Sequence, residues 1–406
     1  MVKRIEIENY KSIEKLAFEL GRFNVFIGEN GCGKTNILEA IVFGSTADEP
    51  EKLPMKGVRI AESKYFKNGF NRSTNNTILI NYYDEENNTI KFQLTGSDDQ
   101  YSNWQGLRTI NGEIFLERIT QMLEDLRKSH EKLDEYQKQM SKLWDEIRTN
   151  KDNIEVRIST IEDVMKEVRV LESSSEPRLN LVNAIHDIID FLLYAPENSI
   201  LRNYNIDTSY IQPLGSKGEG LLKLIKVIKD EKPDEYKEII EYLHLLDWFL
   251  DIEIKDDSLS GANFNLTDIY LEEGIGGFDI RNANEGFFLL LFYITLFVSD
   301  YTPSFFAIDN IDTALNPKLC TKLIETLAEL CKKHNKQVLI TTHNPAILDG
   351  INLNDPEQRL FAVSRNKLGY TRVTRIEKKP PVEGEKSLKL SEQFLRGYIG
   401  GIPKNF

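Results

Sequence analysis

Residues 28–35 read Gly28-Glu29-Asn30-Gly31-Cys32-Gly33-Lys34-Thr35, a complete G-x-x-x-x-G-K-[ST] run. Residues of these types at this spacing suit a cradle for the phosphates of a nucleoside triphosphate. Gly28, Gly31 and Gly33 let the backbone turn tightly with its N–H groups aimed at oxygen anions. On this reading Lys34 reaches the β- and γ-phosphates and the Thr35 hydroxyl ligates Mg²⁺. Glu29, Asn30, Cys32 and Asn36 complete the stretch expected around the nucleotide. The apolar run Phe23 to Ile27 precedes the motif, and Asn36 to Phe43 follows with helical spacing. A strand, a loop and a helix N-terminus in that order add partial positive charge where the anion would sit.

A triphosphate site also needs a carboxylate for the metal shell. Phe305 to Ile308 is a short apolar run ending in Asp309, which is expected to face Thr35 across the Mg²⁺. Gln337 to Thr341 is a second such run, followed by Thr342-His343-Asn344-Pro345. His343 is expected to touch the γ-phosphate or the attacking water.

The elements that must position these groups come from both ends of the chain. Residues 1–27 pattern as two strands, and residues 77–94 as a hairpin turning at Asp84 to Asn88. From 278 onward strand and helix patterns alternate: a buried helix from Phe287 to Val298, a strand to Ile308, a helix from Pro317 to His334, a strand to Thr341, and a helix after Pro345. Three units are expected: an N-terminal lobe 1–100, an inserted region 101–260 and a C-terminal lobe 261–406. Within the insert, residues 113–172 carry apolar positions at heptad spacing, with Leu123, Leu126, Leu133, Met140, Trp144 and Ile147 among them. Either an amphipathic pair packed on its own domain or a projecting coiled-coil hairpin satisfies that pattern. Residues 180–250 pattern as mostly helical, split by Pro196, Pro213 and the loop Gly215 to Gly220, a connecting turn or a second anion cradle.

Composition bounds the partners. The 406 residues carry a net charge of −13, so nucleic acid is not evident as a partner from bulk charge. Cys32, Cys320 and Cys331 are too few and too scattered for a disulfide framework or a zinc site. The N-terminal alternation is not that of a signal peptide, and the longest apolar run, Phe287 to Val298, is too short to span a bilayer. A cytoplasmic protein is expected.

The motifs resemble those of RecF/SMC/OLD-like ABC-type ATPases. Lys11-Ser12 after an aromatic, then Gly-Glu-Asn-Gly-x-Gly-Lys, resembles their N-terminal lobe. Asp309-Asn310-Ile311-Asp312-Thr313-Ala314-Leu315-Asn316 is similar to the Walker B and D-loop run, His343 looks like the switch histidine, and Asn284-Glu285-Gly286 before the buried helix resembles the signature motif. The likeness covers about the first 95 and the last 130 residues. It implies an α/β fold: an ABC-type P-loop head with a mixed sheet plus an inserted helical or coiled-coil region. It also implies ATP and Mg²⁺ as ligands, with Lys11, Ser12, Asn284, Glu285 and Gly286 joining the nucleotide contacts. Two heads would close on ATP as a homodimer or higher oligomer, each nucleotide held between one phosphate loop and the partner's signature segment.

Within the class, the chain looks most like stand-alone ATPases of the OLD-like group in prokaryotic defence operons. That implies a nucleotide-gated switch controlling an effector, a nuclease encoded nearby. The alternatives are a non-hydrolysing ATP-bound scaffold for a nuclease, or a RecF/SMC-like DNA-repair ATPase. Two departures stand out. Asn310 occupies the place of the catalytic glutamate and cannot take a proton from water, though it can orient one. Asn284 replaces the signature serine. Slow hydrolysis is expected, with Asp312 or His343 as substitute catalytic groups. A nuclease active site in this chain is disfavoured, because little sequence follows the last core element; Glu272, Glu273 and Asp279 read as a solvated turn.

Overall fold

The computed structural model describes residues 1–46, 56–58, 77–85, 89–95, 105–111, 156–157, 187–203, 213–255, 263–272, 277–378 and 388–400. The heptad-patterned stretch 113–172 lies outside the described residues, apart from the two-residue strand Val156–Arg157.

A six-stranded sheet holds the three motif-bearing strands side by side. Its order is β15 (Thr371–Ile376), β14 (Gln358–Arg365), β3 (Phe23–Gly28), β13 (Gln337–Thr342), β12 (Phe305–Ile308) and β8 (Leu192–Tyr194). All neighbours run parallel except the β14–β15 hairpin, so the sheet is mixed. Both faces are covered, which is why its strands are continuously apolar rather than alternating. Phe306 and Ile308 join one core while Phe305 and Ala307 join the other.

A second, antiparallel sheet has the order β2 (Ile13–Glu19), β1 (Arg4–Tyr10), β4 (Thr77–Tyr83), β5 (Thr89–Thr95), β6 (Gln105–Asn111) and β7 (Val156–Arg157). Helix α1 (Lys34–Ser45) shares one core with this sheet and with one face of the central sheet. Ile5 and Ile7 from β1, Ile78 and Ile80 from β4, and Ile37 and Ile41 from α1 are all fully buried there. The helix is thereby held from both sides, and its N-terminus is fixed at the end of β3.

The opposite face is covered by helices. After β8 come α2 (Asn198–Leu201), α3 (Leu221–Glu231) and α4 (Pro233–Leu243), then a three-stranded sheet ordered β11 (Phe278–Asp279), β10 (Asn263–Asp268), β9 (Phe249–Lys255). Helix α5 (Glu285–Val298) is buried at every position from Phe287 to Val298, as an all-round apolar helix must be. Asn284 caps it, its side chain accepting from the Phe287 N–H at 2.8 Å. Helix α6 (Pro317–Lys333) is capped the same way by Asn316 and starts on Pro317. Helix α7 (Leu390–Leu395) is the last described element.

Four expectations differ from the structure. Residues 1–27 form three strands, because the chain leaves the outer hairpin at Gly21 and enters the central sheet as β3. The stretch 180–250, expected to be mostly helical, also contributes a strand: Leu192–Tyr194 pairs with Phe306–Ile308 in the central sheet. An apolar run that short cannot be told from a helix segment by periodicity. That strand, with β6 and β7, places parts of the expected insert 101–260 inside the two main sheets. Finally, Pro345–Gly350 is a 3₁₀ turn rather than an α-helix. The Asn344 side chain takes the Ala346 N–H at 2.9 Å, closing a tight turn.

The buried end of α5 carries a cation. Lys336 Nζ donates to the carbonyls of Ser299 and Thr302, both at 2.8 Å, to Thr302 Oγ1 at 3.0 Å and to Pro303 O at 3.3 Å. It bonds the carbonyls of the turn that follows the helix, near the pole that favours positive charge. Burial pushes its amine down to about 8. Burial pushes the thiols the other way: Cys320 up to about 11, with Cys331 and Cys32 also raised.

These shifts oppose each other above neutral pH. Between about pH 8 and pH 10.4 the unfolded chain keeps the Lys336 proton that the folded chain has lost, so this group adds stability as pH rises. The thiols contribute stability below about pH 8.5 that is lost as pH rises toward their folded values. Three raised thiols oppose two lowered amines, Lys336 and Lys34. Urea unfolding is therefore expected to show lower stability at about pH 10 than at about pH 8, and Lys336→Met to make that fall steeper.

Candidate nucleotide site

The end of β3, the turn after β12 and the end of β13 meet over the N-terminus of α1. Parallel neighbours in one sheet end at one edge, so their C-terminal residues converge. Gly31 has φ 72° and Gly33 φ 109°, both in the region that favours glycine. A Cβ on Gly33 would lie 2.1 Å from Thr371 Oγ1, whereas one on Gly31 would meet nothing within 4 Å. The loop is thus pinned beneath Gly33 and open above Gly31. A Cβ on Gly28 would lie 2.3 Å from Val363 O, so the loop starts where β14 presses against it.

Thr35 and Asp309 come together at this edge. The Thr35 hydroxyl lies 3.0 and 3.2 Å from the two carboxylate oxygens of Asp309. A hydroxyl and a carboxylate are hard oxygen donors, which suits Mg²⁺ better than a softer metal. Thr341 holds Asp309 in place: its hydroxyl donates to Asp309 Oδ1 and accepts from the Asn310 N–H at 2.9 Å.

Lys34 and His343 also meet. Lys34 Nζ donates to the carbonyls of Gly28 and Glu29 at 2.8 and 3.0 Å, and lies 3.4 Å from His343 Nδ1. An ammonium can only donate, so Nδ1 accepts and Nε2 carries the ring proton. Burial, and then the Lys34 charge, lower the His343 pKa, so the ring is neutral at pH 7. Burial also lowers the Lys34 pKa, while Cys32, Asp309 and Asp312 pull it upward. Cys32 is 1% exposed with its thiol raised by burial, which keeps it protonated and unreactive.

The Asp312 carboxylate accepts from Thr342 Oγ1 at 2.6 Å and from the His343 N–H at 3.3 Å. It ties the turn after Asp309 to the backbone that carries His343. Asn310 sits at φ 55°, a left-handed conformation that asparagine tolerates better than most residues.

Lys11 and Ser12 lie behind the loop. Lys11 pairs with Glu39, whose side chain is 1% exposed inside α1. Ser12 Oγ accepts from Asn36 Nδ2 at 2.7 Å and lies 2.7 Å from Thr371 Oγ1. Asn30 is exposed at the loop crest. The segment Asn284, Glu285, Gly286 faces elsewhere: the nearest neighbours of a Gly286 Cβ beyond Asn284 would be Leu315 Cδ2 at 3.7 Å and Ala314 O at 4.0 Å. It shares a surface with the 312–316 turn. The loop 215–220 is a connecting turn that pairs its backbone with the segment after β8, through Ala195 N–H to Ser216 O and Glu197 N–H to Lys217 O. Asp279 is held by Arg281, and Glu273 lies outside the described residues. Among the described residues no group of three or more His, Cys, Asp or Glu could hold a metal, and no helix is long and apolar enough to cross a membrane.

Sequence reading missed Thr341, Thr342, Glu39 and Thr371. Thr341 and Thr342 could have been found, since they immediately precede His343 on an apolar strand. Thr371 carries no local signal.

A family model described as an AAA ATPase domain matches residues 1–348. The DNA replication and repair protein RecF of Phocaeicola vulgatus is 48% identical over 44 residues, 11% of this chain and 12% of that protein. The chromosome partition protein Smc of Methanocaldococcus jannaschii is 28% identical over 116 residues, 26% of this chain and 10% of that protein. Each match thus spans about a tenth of the relative's length. A crystal structure of an SmcHead bound to the C-winged helix domain of ScpA resembles this chain, with a TM-score of 0.53 at 14% identity, covering 93% of this chain and 98% of that one. At that identity the likeness concerns the fold.

Proposed function

The chain belongs to the AAA ATPase domain family, as an ABC-type ATPase of the RecF/SMC kind, and we propose on that ground that it binds MgATP at the loop 28–35 and uses it as a switch. The observation that carries this reading is the meeting of Thr35, Asp309, Lys34 and His343 at one sheet edge. Thr35 and Asp309 would hold the Mg²⁺, which supplies charge neutralisation between the phosphates. Lys34 would leave the Gly28 and Glu29 carbonyls for the β- and γ-phosphates. His343, neutral and protonated on Nε2, would offer that N–H to the γ-phosphate. Asn310 would orient water without accepting its proton, so turnover is slow.

The signature segment, turned toward the 312–316 surface, would reach the nucleotide of a second copy. In a closed homodimer the α5 N-terminus and the Gly286 N–H would complete the γ-phosphate contacts. Separating or closing the heads would then control an effector. From the resemblance to defence-operon ATPases we take that effector to be a nuclease encoded nearby, in a cytoplasmic setting. The RecF match favours a second reading, a DNA-repair ATPase whose DNA contacts are local, given the net charge of −13.

Light scattering of the purified chain with and without MgATP tests the switch. A dimer mass only with nucleotide is expected, and a mass indifferent to nucleotide would contradict gating. Adding the neighbouring nuclease separates the readings: its activity should depend on ATP for a switch and only on assembly for a scaffold.

A further inference from the structure

We propose that Thr371, which lies beyond the residues 1–348 matched by the family model, is a positioning residue for nucleotide phosphates, setting the orientation of the Cys32–Gly33 peptide. The proposal rests on the ATP-binding reading above. The hairpin β14–β15 carries Thr371 under the loop. Val363 pairs with Gly28 in the parallel register, and Thr371 pairs with Arg365 across the hairpin. Thr371 is 1% exposed and makes three polar contacts with the loop and the β1–β2 turn. Its N–H donates to Ser12 O at 2.8 Å, its hydroxyl lies 3.0 Å from Cys32 O, and the same hydroxyl is 2.7 Å from Ser12 Oγ.

The direction of every hydrogen bond in this cluster is fixed by chemistry. The Cys32 carbonyl can only accept, so the one Thr371 hydroxyl proton goes to it. Ser12 must then donate to Thr371 Oγ1, and Ser12 in turn accepts from the Asn36 amide at 2.7 Å. The chain runs from Asn36 through Ser12 and Thr371 to the Cys32 carbonyl. Its links strengthen one another, since each hydroxyl donates and accepts at once.

The consequence lies on the other side of the peptide. A trans peptide points its C=O and N–H in opposite directions. Holding Cys32 C=O against Thr371 therefore turns the Gly33 N–H away from the hairpin. In a loop of this type the N–H groups of the second glycine and the residues after it cradle the phosphates. Gly33, at φ 109°, has the freedom to flip that peptide. A Cβ there would lie 2.1 Å from Thr371 Oγ1, so Thr371 sits directly against the flexible point. The clasp removes the freedom that glycine brings, and it does so from a strand more than 300 residues away along the chain.

The test compares Thr371→Val, Thr371→Ala and Thr371→Ser with the unaltered chain. Dissociation constants for MgATP and MgADP, KM and kcat for phosphate release, and thermal unfolding are measured on each. The Val variant should weaken both nucleotides by on the order of 10-fold, the loss of one oriented hydrogen bond. KM should rise while kcat stays within about twofold, because the Gly33 N–H serves ground and transition states alike. Ser keeps the hydroxyl and should restore affinity. Wild-type affinity in Val, even with a lowered melting temperature, would overturn the proposal. So would a Ser variant as weak as Val, which would assign the effect to the methyl group. If Val and Ala both fail to fold while Ser folds, the hydroxyl is a folding determinant and the proposal likewise fails. An unaltered chain that binds no MgATP would instead overturn the ATP reading.

Discussion

Replacing Lys34 with alanine is expected to weaken MgATP binding by on the order of 100-fold, about 3 kcal/mol, while the chain stays folded. Lys34 is 5% exposed, and its ammonium donates to Gly28 O and Glu29 O with Cys32 Sγ at 3.9 Å. The bond to Gly28 is buried and that to Glu29 half-buried, and with the long side chain gone water can enter the space it filled and replace the donor at those carbonyls. No such replacement exists for the phosphates, because a charge-assisted donor aimed at an anion is worth roughly twice a neutral one. Nucleotide titration by calorimetry measures the loss, and circular dichroism on the same sample checks the fold. An unchanged affinity would mean that the loop is not the triphosphate site. The variant also separates a switch from a scaffold. A switch should still assemble with its partner but lose nucleotide control, whereas an ATP-bound scaffold should lose stability and assembly together.

Asn310→Glu is expected to raise ATP turnover by on the order of 100-fold. The Asn310 N–H is fixed by Thr341 Oγ1 at 2.9 Å, so the side chain at this position is aimed from a rigid turn next to the Asp309 carboxylate. A glutamate there would add a group able to accept the water proton, worth about 10²- to 10⁴-fold. Part of that gain is offset by conformation. Position 310 has φ 55°, and a residue other than Gly, Asn or Asp costs roughly 1–2 kcal/mol there. Steady-state phosphate release on matched protein measures the outcome. If turnover does not change, the proton acceptor lies elsewhere, and Asp312 and His343 are the remaining candidates. Asp312 already accepts from Thr342 and His343, so its alanine variant should disturb the placement of His343 as well as any chemistry.

Both predictions depend on groups that local sequence exposes plainly. Lys34 and Thr35 follow glycines whose spacing serves phosphate binding, and Asp309 and His343 each end an apolar run. Strand-end chemistry of this kind is readable because parallel strands present their C-terminal residues at one edge, whatever connects them. The support for that edge was much less readable. Leu192–Tyr194 is three apolar residues long, too short for any period to declare it a strand, yet its Tyr194 carbonyl accepts the Asp309 N–H at 2.9 Å. The turn at Gly21-Arg22 moves the chain from the outer sheet to the central one, and nothing local marks that the strands on its two sides join different sheets, so two strands are expected where three exist. Thr371 is an ordinary strand threonine in sequence. Only the register of β14 on β3 brings it to Cys32. Long-range pairing of that sort leaves no local mark, because it depends on which strands become neighbours and not on what either strand contains.

Lys11 and Ser12 illustrate the same division. Their place before the loop suggests nucleotide contacts, but Lys11 pairs with buried Glu39 and Ser12 joins the hydrogen-bond chain to Cys32. In this arrangement they shape the loop from behind. Chemistry at the crest of the loop is written in the motif, while its rigidity comes from β1, α1 and β15.

The central claim is that this site binds ATP firmly and turns it over slowly. Equilibrium dialysis with MgATP, with phosphate release followed in the same sample, tests both halves together. Saturable, stoichiometric nucleotide binding with phosphate release far slower than nucleotide exchange is the predicted result. Absence of saturable binding, or release that keeps pace with exchange, would contradict it.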